Sequence, residues 1–216
     1  MRAPIISRWF AGTGFAGNGA PLHLNWRAAT DTISGVASYT VWVSRDGRAF
    51  TLVGNTAGPA INVIVAPGHS YRYRVAATDR AGNRSALILS PIIRPAAYQD
   101  NSRAVIYRGR WGTARSTLFY GGTDHWSSAR SATATLRFIG RSVAWVAPTG
   151  LTRGSARVYA DGRLVATINL RTPSAAYKRL VFARSWGRSA THTIRIVVLG
   201  TAGHPRVDLD TFLIIR

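Results

Sequence analysis

The chain has 216 residues and a formal net charge of +20, from 28 lysine and arginine residues against 8 acidic ones. Its hydrophobic fraction of 46% excludes a disordered tail, and the absence of cysteine excludes a disulfide scaffold and thiol-based metal or redox chemistry. The longest apolar runs, IRIVVLG and TFLII, have only the length of a strand, so we predict no membrane insertion by a transmembrane helix.

The charge comes almost wholly from arginine, since Lys178 is the only lysine and every acidic residue is aspartate. The arginines are spread along the chain without a block of like charge. This distribution predicts a generally cationic surface and no specific nucleic-acid groove. Residues 1–20 lack the apolar stretch and cleavage site of a signal peptide. We therefore expect either an intracellular protein or a piece of a longer secreted chain.

Apolar residues alternate with polar ones along most of the chain, between turns rich in Gly, Pro, Asn and Asp, which predicts strands. The first set of segments is PLHLNW, VASYTVWVS, AFTLVGN, INVIVAPG, YRYRVAAT and ALILS. A second set, from AVIYRG to RVDLDTFLII, follows the proline-flanked stretch SPIIRPAAYQDN. The pattern predicts an all-β protein of two β-sandwich domains in tandem, residues 1–94 and 95–216. Asp-Gly pairs within 43–53 and 158–168 predict two tight hairpins.

The stretch SYRYRVAATDRAGNRS at 70–85 has two interpretations. Aromatic rings interleaved with arginines are typical of a surface that binds single-stranded nucleic acid. On a strand, however, Tyr71 and Tyr73 face the core while Arg72 and Arg74 face solvent. We favour the strand.

Residues 20–92 resemble a fibronectin type III domain of bacterial extracellular proteins. The resemblance lies in Trp26, in the D-x-x-S-G-V-A-x-Y-x-V run at 31–41 and in G-x-x-Y-x-Y-x-V-x-A-x-D-x-A-G-N at 68–83. It implies that Trp26 is the core tryptophan and that the Tyr71 hydroxyl bonds back to the main chain. It also implies that Asp79 and Asn83 brace a turn, and that the domain is a spacer or protein-contact module.

Residues 104–215 resemble the galactose-binding-like jelly roll that many carbohydrate-binding modules share. The matching segments are YRGRW, YGGTDHWSS, ATATLRFIGRSVAWV, ARVYADGRLVATINL, THTIRIVVLGT and PRVDLDTFLI. The resemblance implies a non-catalytic accessory module of a secreted or cell-surface bacterial protein. Its expected partners are carbohydrate or an acidic cell-surface polymer, with neighbouring domains of a longer chain.

The segment YGGTDHWSS at 120–128 carries the residue types that bind sugars, since a sugar ring needs an aromatic face and planar polar groups. We expect ligand contacts from this loop and from one further indole: Trp111, Tyr120, Asp124, His125 and Trp126. The alternative is that these aromatic rings are core residues.

Asp208 and Asp210 are two residues apart, so on one strand they share a face, with carboxyl groups roughly 7 Å apart. That spacing suits an inverting glycosidase pair, but the domain lacks glutamate and the pair adjoins the apolar TFLII run. The family resemblance suggests a structural calcium ion, for which Asp100, Asp124 and Asp161 are the further candidate ligands. The third interpretation, pairing with arginine, is the one we favour.

The sequence contains no nucleophile elbow, phosphate loop or metal-protease motif, so we predict that the chain is not an enzyme. Of the possible functions, we favour a carbohydrate-binding accessory region. The alternatives are a structural or adhesion spacer and, after it, charge-driven binding of polyanions. Apart from the possible calcium ion, we expect no cofactor.

Overall fold

The computed structural model describes residues 5–9 and 14–216 of the chain. Apart from one 3-10 turn at Tyr120–Gly122, its regular elements are strands, so the predicted all-β class is confirmed. The described part of the chain has no helix of the length and apolarity needed to cross a membrane.

Contacts divide the chain into two compact units. The first contains Gly19–Pro95 with the strand that ends near Arg8, and the second contains Ala96–Arg216 with residues 14–18. The sequence placed all residues up to 94 in the first domain, whereas residues 14–18 group with the second unit. That 1–94 and 95–216 are independent domains stays a prediction.

The first unit is built from two sheets. Its strands are β1 (Ile5–Trp9), β2 (Ala20–Asn25), β3 (Val36–Arg45), β4 (Thr51–Thr56), β5 (Ala60–Val65), β6 (Tyr71–Asp79) and β7 (Ile88–Leu89). One sheet has the order β1-β2-β5 and the other the order β4-β3-β6-β7. Side chains alternate on β6, where Tyr71 and Tyr73 are buried and Arg72 is exposed.

Residues expected to have structural roles make local contacts in this unit. Trp26 is buried, with its ring edge-on to Tyr39 at 5.4 Å between centroids. The Tyr71 hydroxyl accepts a hydrogen bond from the backbone N–H of Ala66 at 2.8 Å. Asp79 accepts from the backbone and side-chain nitrogens of Asn83 at 2.7 and 2.8 Å, which closes the turn after β6.

The second unit places a seven-stranded sheet over a three-stranded one. Its strands are β8 (Pro95–Gln99), β9 (Val105–Arg108), β10 (Gly112–Arg115), β11 (Thr123–Ser127), β12 (Thr133–Thr149), β13 (Ser155–Ala160), β14 (Arg163–Asn169), β15 (Ala176–Val198), β16 (Val207–Leu209) and β17 (Thr211–Ile215). The large sheet has the order β14-β13-β15-β12-β17-β8, with β9 also on β12, and the small sheet the order β10-β11-β16.

The core of the second unit lies between these sheets. The first half of β12 shows this, because its residues alternate strictly between buried and outward-facing positions. Ala134, Leu136 and Phe138 are buried in the core, while Thr133, Thr135 and the other intervening residues face outward. The second half of β12 is continuously buried from Ser142 to Pro148. The Asp161-Gly162 turn has positive φ at both residues, 51° and 81°, as a two-residue hairpin turn requires.

Candidate functional site

A groove of about 520 Å³ opens at the small sheet, where β10 and β11 pair. Its walls are formed by Arg110, Trp111, Gly112, Trp126, Ser128 and Ala129. Both indoles are half-buried, so each presents part of its ring to the groove. We call this feature the indole groove.

Neighbouring residues hold each indole of the groove in position. The Nε1–H of Trp111 donates to the backbone carbonyl of Arg108 at 3.1 Å, and its ring packs on Tyr107 at 4.9 Å. The Arg206 guanidinium lies over the Trp126 ring, 4.8 Å from its centroid. A pre-positioned aromatic ring loses little side-chain entropy when a ligand binds, which favours recognition.

Gly112 allows Trp126 to lie against β10, since the two residues face each other in the β10–β11 register. A Cβ atom at position 112 would lie 2.9 Å from Cε2 of Trp126, closer than real Cβ contacts. Any larger residue there would displace the indole. The glycine is therefore part of the groove's architecture.

His125 lies on the opposite side of β11 from Trp126, because successive side chains on a strand point to opposite faces. Its ring stacks on Tyr107 at 4.7 Å, and its Nδ1 is 2.8 Å from the Asp100 carboxylate. Tyr120 packs its ring on Phe15 at 4.9 Å, and burial raises the pKa of its hydroxyl. Neither residue lines the indole groove.

Asp124 is fully buried and also lies outside the groove. Of the five residues that the sequence suggested as ligand contacts, only Trp111 and Trp126 therefore line one cavity. The sequence interpretation took 120–128 as a single loop, whereas Thr123–Ser127 form strand β11. It also missed Arg110 and Ser128, which adjoin the two indoles.

Four aspartates of the second unit are buried without exposed surface: Asp100, Asp124, Asp208 and Asp210. We call them the aspartate cluster, since their charges act on one another. Asp208 accepts hydrogen bonds from Arg153 at 3.0 Å and from the Nε–H of Arg206 at 2.8 Å, and a second Arg206 nitrogen forms an ion-pair contact with it at 2.6 Å. The arginine pairing favoured from the sequence is thus present at Asp208.

Asp124 is the exception in the cluster, since neither of its oxygens accepts a hydrogen bond within the described residues. Its nearest cation is the Arg206 guanidinium, at 3.6 Å. Burial, with the charge of Asp208, raises the pKa of Asp124 to about 9. Burial likewise raises the pKa of Asp210 to about 7, although the backbone N–H of Tyr120 donates to it. At neutral pH Asp124 therefore holds a proton, which it can donate to Asp208.

The cluster does not fit the calcium site suggested for Asp208 and Asp210. Calcium takes about six to eight oxygen ligands. Both oxygens of Asp208 already accept from guanidinium groups, and both oxygens of Asp210 accept from the Tyr120 N–H. Across residues 5–9 and 14–216, no three acidic or imidazole groups converge as metal ligands. Asp208 and Asp210 do not suit glycoside hydrolysis either, because neither carboxyl group is exposed to solvent.

The chain matches no protein-family profile. Over 113 residues, 52% of its length, it is 31% identical to A type blood N-acetyl-alpha-D-galactosamine deacetylase of Flavonifractor plautii, covering 14% of that protein. Over 106 residues, 49% of its length, it is 30% identical to A type blood alpha-D-galactosamine galactosaminidase of the same organism, covering 9%. The chain thus spans only a small part of the length of the curated relatives that it matches. A Paenibacillus xanthan lyase structure has 15% identity and a TM-score of 0.42, covering 100% of this chain and 25% of that one.

Proposed function

We propose that this chain is a non-catalytic accessory region of a secreted or cell-surface protein and that its second unit binds carbohydrate. The observation that carries the proposal is the indole groove, where Trp111 and Trp126 meet the Arg110 side chain in one cavity. In this proposal the second unit is a galactose-binding-like module and the first a fibronectin type III spacer.

The groove has the chemistry that a sugar requires. The C–H face of a sugar ring packs on an aromatic face, and its hydroxyl groups need a few placed polar groups. Trp111 supplies the ring, while Arg110 and Ser128 supply a planar donor and a hydroxyl. The partial relatives support this role, because their names describe enzymes acting on amino sugars and the chain aligns with only a small fraction of each.

Replacing Trp111 by alanine tests the proposal. We expect retention on the polysaccharide that the wild type binds to weaken at least about tenfold, because a buried aromatic anchor contributes 2 kcal/mol or more, roughly, to binding. The measurement is affinity electrophoresis through gels containing a panel of neutral and acidic polysaccharides, at low and high salt. Trp42→Ala is the matched control, since it removes a half-buried indole from the first unit.

Equal losses in Trp111→Ala and Trp42→Ala would contradict a site in the groove. Retention of the wild type on no polysaccharide of the panel would count against carbohydrate binding and favour the spacer function. Thermal unfolding of both variants shows whether either change acts through stability.

A further inference from the structure

The outer face of the seven-stranded sheet carries two cavities away from the indole groove. The first, of about 440 Å³, is bordered by Arg108, Thr133, Thr135, Tyr159, Thr193 and Arg195. The second, of about 560 Å³, is bordered by Tyr98, Arg137, Ile139, Thr191 and Arg216. They adjoin, because Arg137 of the second lies opposite Thr193 of the first in the β12–β15 register. We call the two together the sheet-face groove.

The sheet-face groove is long and flat-floored, since it follows the outward side chains of β12 from Thr133 to Ile139. The six steps along the strand between these two residues span about 20 Å. Neighbouring strands contribute in register, with Arg195 of β15 opposite Thr135 and Tyr159 of β13 opposite Arg195. That length suits several consecutive units of a polymer better than a single small molecule.

The four arginines of this groove have no carboxylate partner in the described part of the chain: Arg108, Arg137, Arg195 and Arg216. All eight aspartates are described, and each is engaged elsewhere. The nearest along the chain, Asp161, precedes Gly162 of the groove, but its carboxylate accepts from the Thr193 backbone N–H at 2.9 Å and contacts His192 at the same distance. The groove must therefore take its counter-charge from a ligand or from salt.

The Tyr159 ring is already covered by a guanidinium group, whereas single-stranded nucleic acid needs rings that are free to stack on nucleobases. The Arg195 guanidinium lies over the Tyr159 ring, 4.7 Å from its centroid, and the Tyr98 hydroxyl accepts from Arg216 at 2.7 Å. What remains is a row of threonine hydroxyls between guanidinium groups. Hydroxyls exchange hydrogen bonds with other hydroxyls, and guanidinium groups pair bidentately with carboxylates.

We propose that the sheet-face groove binds a linear acidic polysaccharide whose sugar units carry carboxylate groups, at a site separate from the indole groove. The threonines on β12 and β15 contact sugar hydroxyls, and Arg137 and Arg195 pair with carboxylates of successive acidic units. Salt weakens the interaction without abolishing it, because the hydroxyl contacts are not screened.

The test compares wild type with an Arg137→Gln/Arg195→Gln double variant, using polygalacturonate in affinity electrophoresis at low and physiological salt. We expect binding to weaken at least about tenfold, since two groups that pair bidentately with carboxylates are removed. The control is Arg48→Gln/Arg80→Gln, which removes the same charge from exposed positions of the first unit. We expect this control to weaken binding less than twofold.

Three outcomes would overturn the proposal. Equal weakening by both double variants would reduce the interaction to overall charge. Binding of single-stranded DNA or of inorganic polyphosphate as tightly as polygalacturonate, at the same salt, would show a general polyanion surface. Loss of binding in Trp111→Ala alone would place the acidic polymer in the indole groove. Failure of the carbohydrate site at Trp111 leaves this test unaffected, because the two sites share no residue.

Discussion

Replacing Arg206 by methionine lowers the free energy of unfolding by about 3 kcal/mol. Arg206 donates a hydrogen bond to Asp208, which has no exposed surface, and forms an ion-pair contact with it through a second nitrogen. Without Arg206, the Asp208 carboxylate keeps the Arg153 guanidinium as an ion-pair partner but loses the Arg206 one. An uncompensated buried charge is costly because neither water nor a partner solvates it.

The measurement is urea or thermal unfolding at neutral pH, where this loss corresponds to roughly 6–12 °C in Tm. Arg103→Met is the matched control: Arg103 is exposed, and we expect its replacement to change stability by less than about 0.5 kcal/mol. Adding Asp208→Asn to Arg206→Met should recover part of the loss, since it removes a buried charge that the Arg153 guanidinium alone would otherwise compensate. A loss below about 1 kcal/mol, or no recovery, would contradict the pairing described.

Replacing Asp124 by asparagine should stabilise the protein above neutral pH, by up to roughly 5 kcal/mol at pH 8. The pKa of Asp124 is about 9 in the folded protein, whereas an unfolded aspartate has a pKa near 3.9. Between these values the folded state binds one proton more than the unfolded state. This contribution to stability is therefore complete below about pH 4 and is lost as the pH rises through about 9. Asparagine carries no titrating group, and its amide can donate to Asp208 as the protonated carboxyl does.

The unfolding free energy of both proteins should be measured from pH 5 to about pH 9.5. We expect the difference in stability to widen with pH, with a slope no steeper than about 1.4 kcal/mol per pH unit for one proton. Asp210 titrates in both proteins, so its contribution to the difference is small. Parallel curves, or a less stable variant at pH 8, would show that Asp124 is not held protonated.

Local periodicity made much of the fold predictable. Alternation placed Tyr71 and Tyr73 in the core and Arg72 in solvent, as the structure has them. The Asp-Gly pairs predicted tight turns, and Asp46-Gly47 has positive φ at both residues. These features depend on neighbours a few residues away, which the sequence displays directly.

The candidate site was less predictable, because it depends on pairing between distant segments. Glycines at 121 and 122 indicated a loop, but alternation through Thr123–Ser127 was also present and separates His125 from Trp126. This alternation was the signal in the sequence that could have predicted a strand at Thr123–Ser127. The pairing of Arg153 with Asp208 joins residues 55 positions apart, and nothing in either segment specifies it.

The position of β17 in the large sheet bears on how the protein is made. This strand lies between β12 and β8, so the sheet joins its earliest strand to its latest. The Thr211 hydroxyl donates to the Tyr98 carbonyl across 113 residues of sequence. A ribosome delivers β8 long before β17, and non-local strand pairing is slow to form. The large sheet of the second unit is therefore completed only after β17 has been synthesised, and until then the β12 and β8 backbone groups that pair with β17 have no strand beside them.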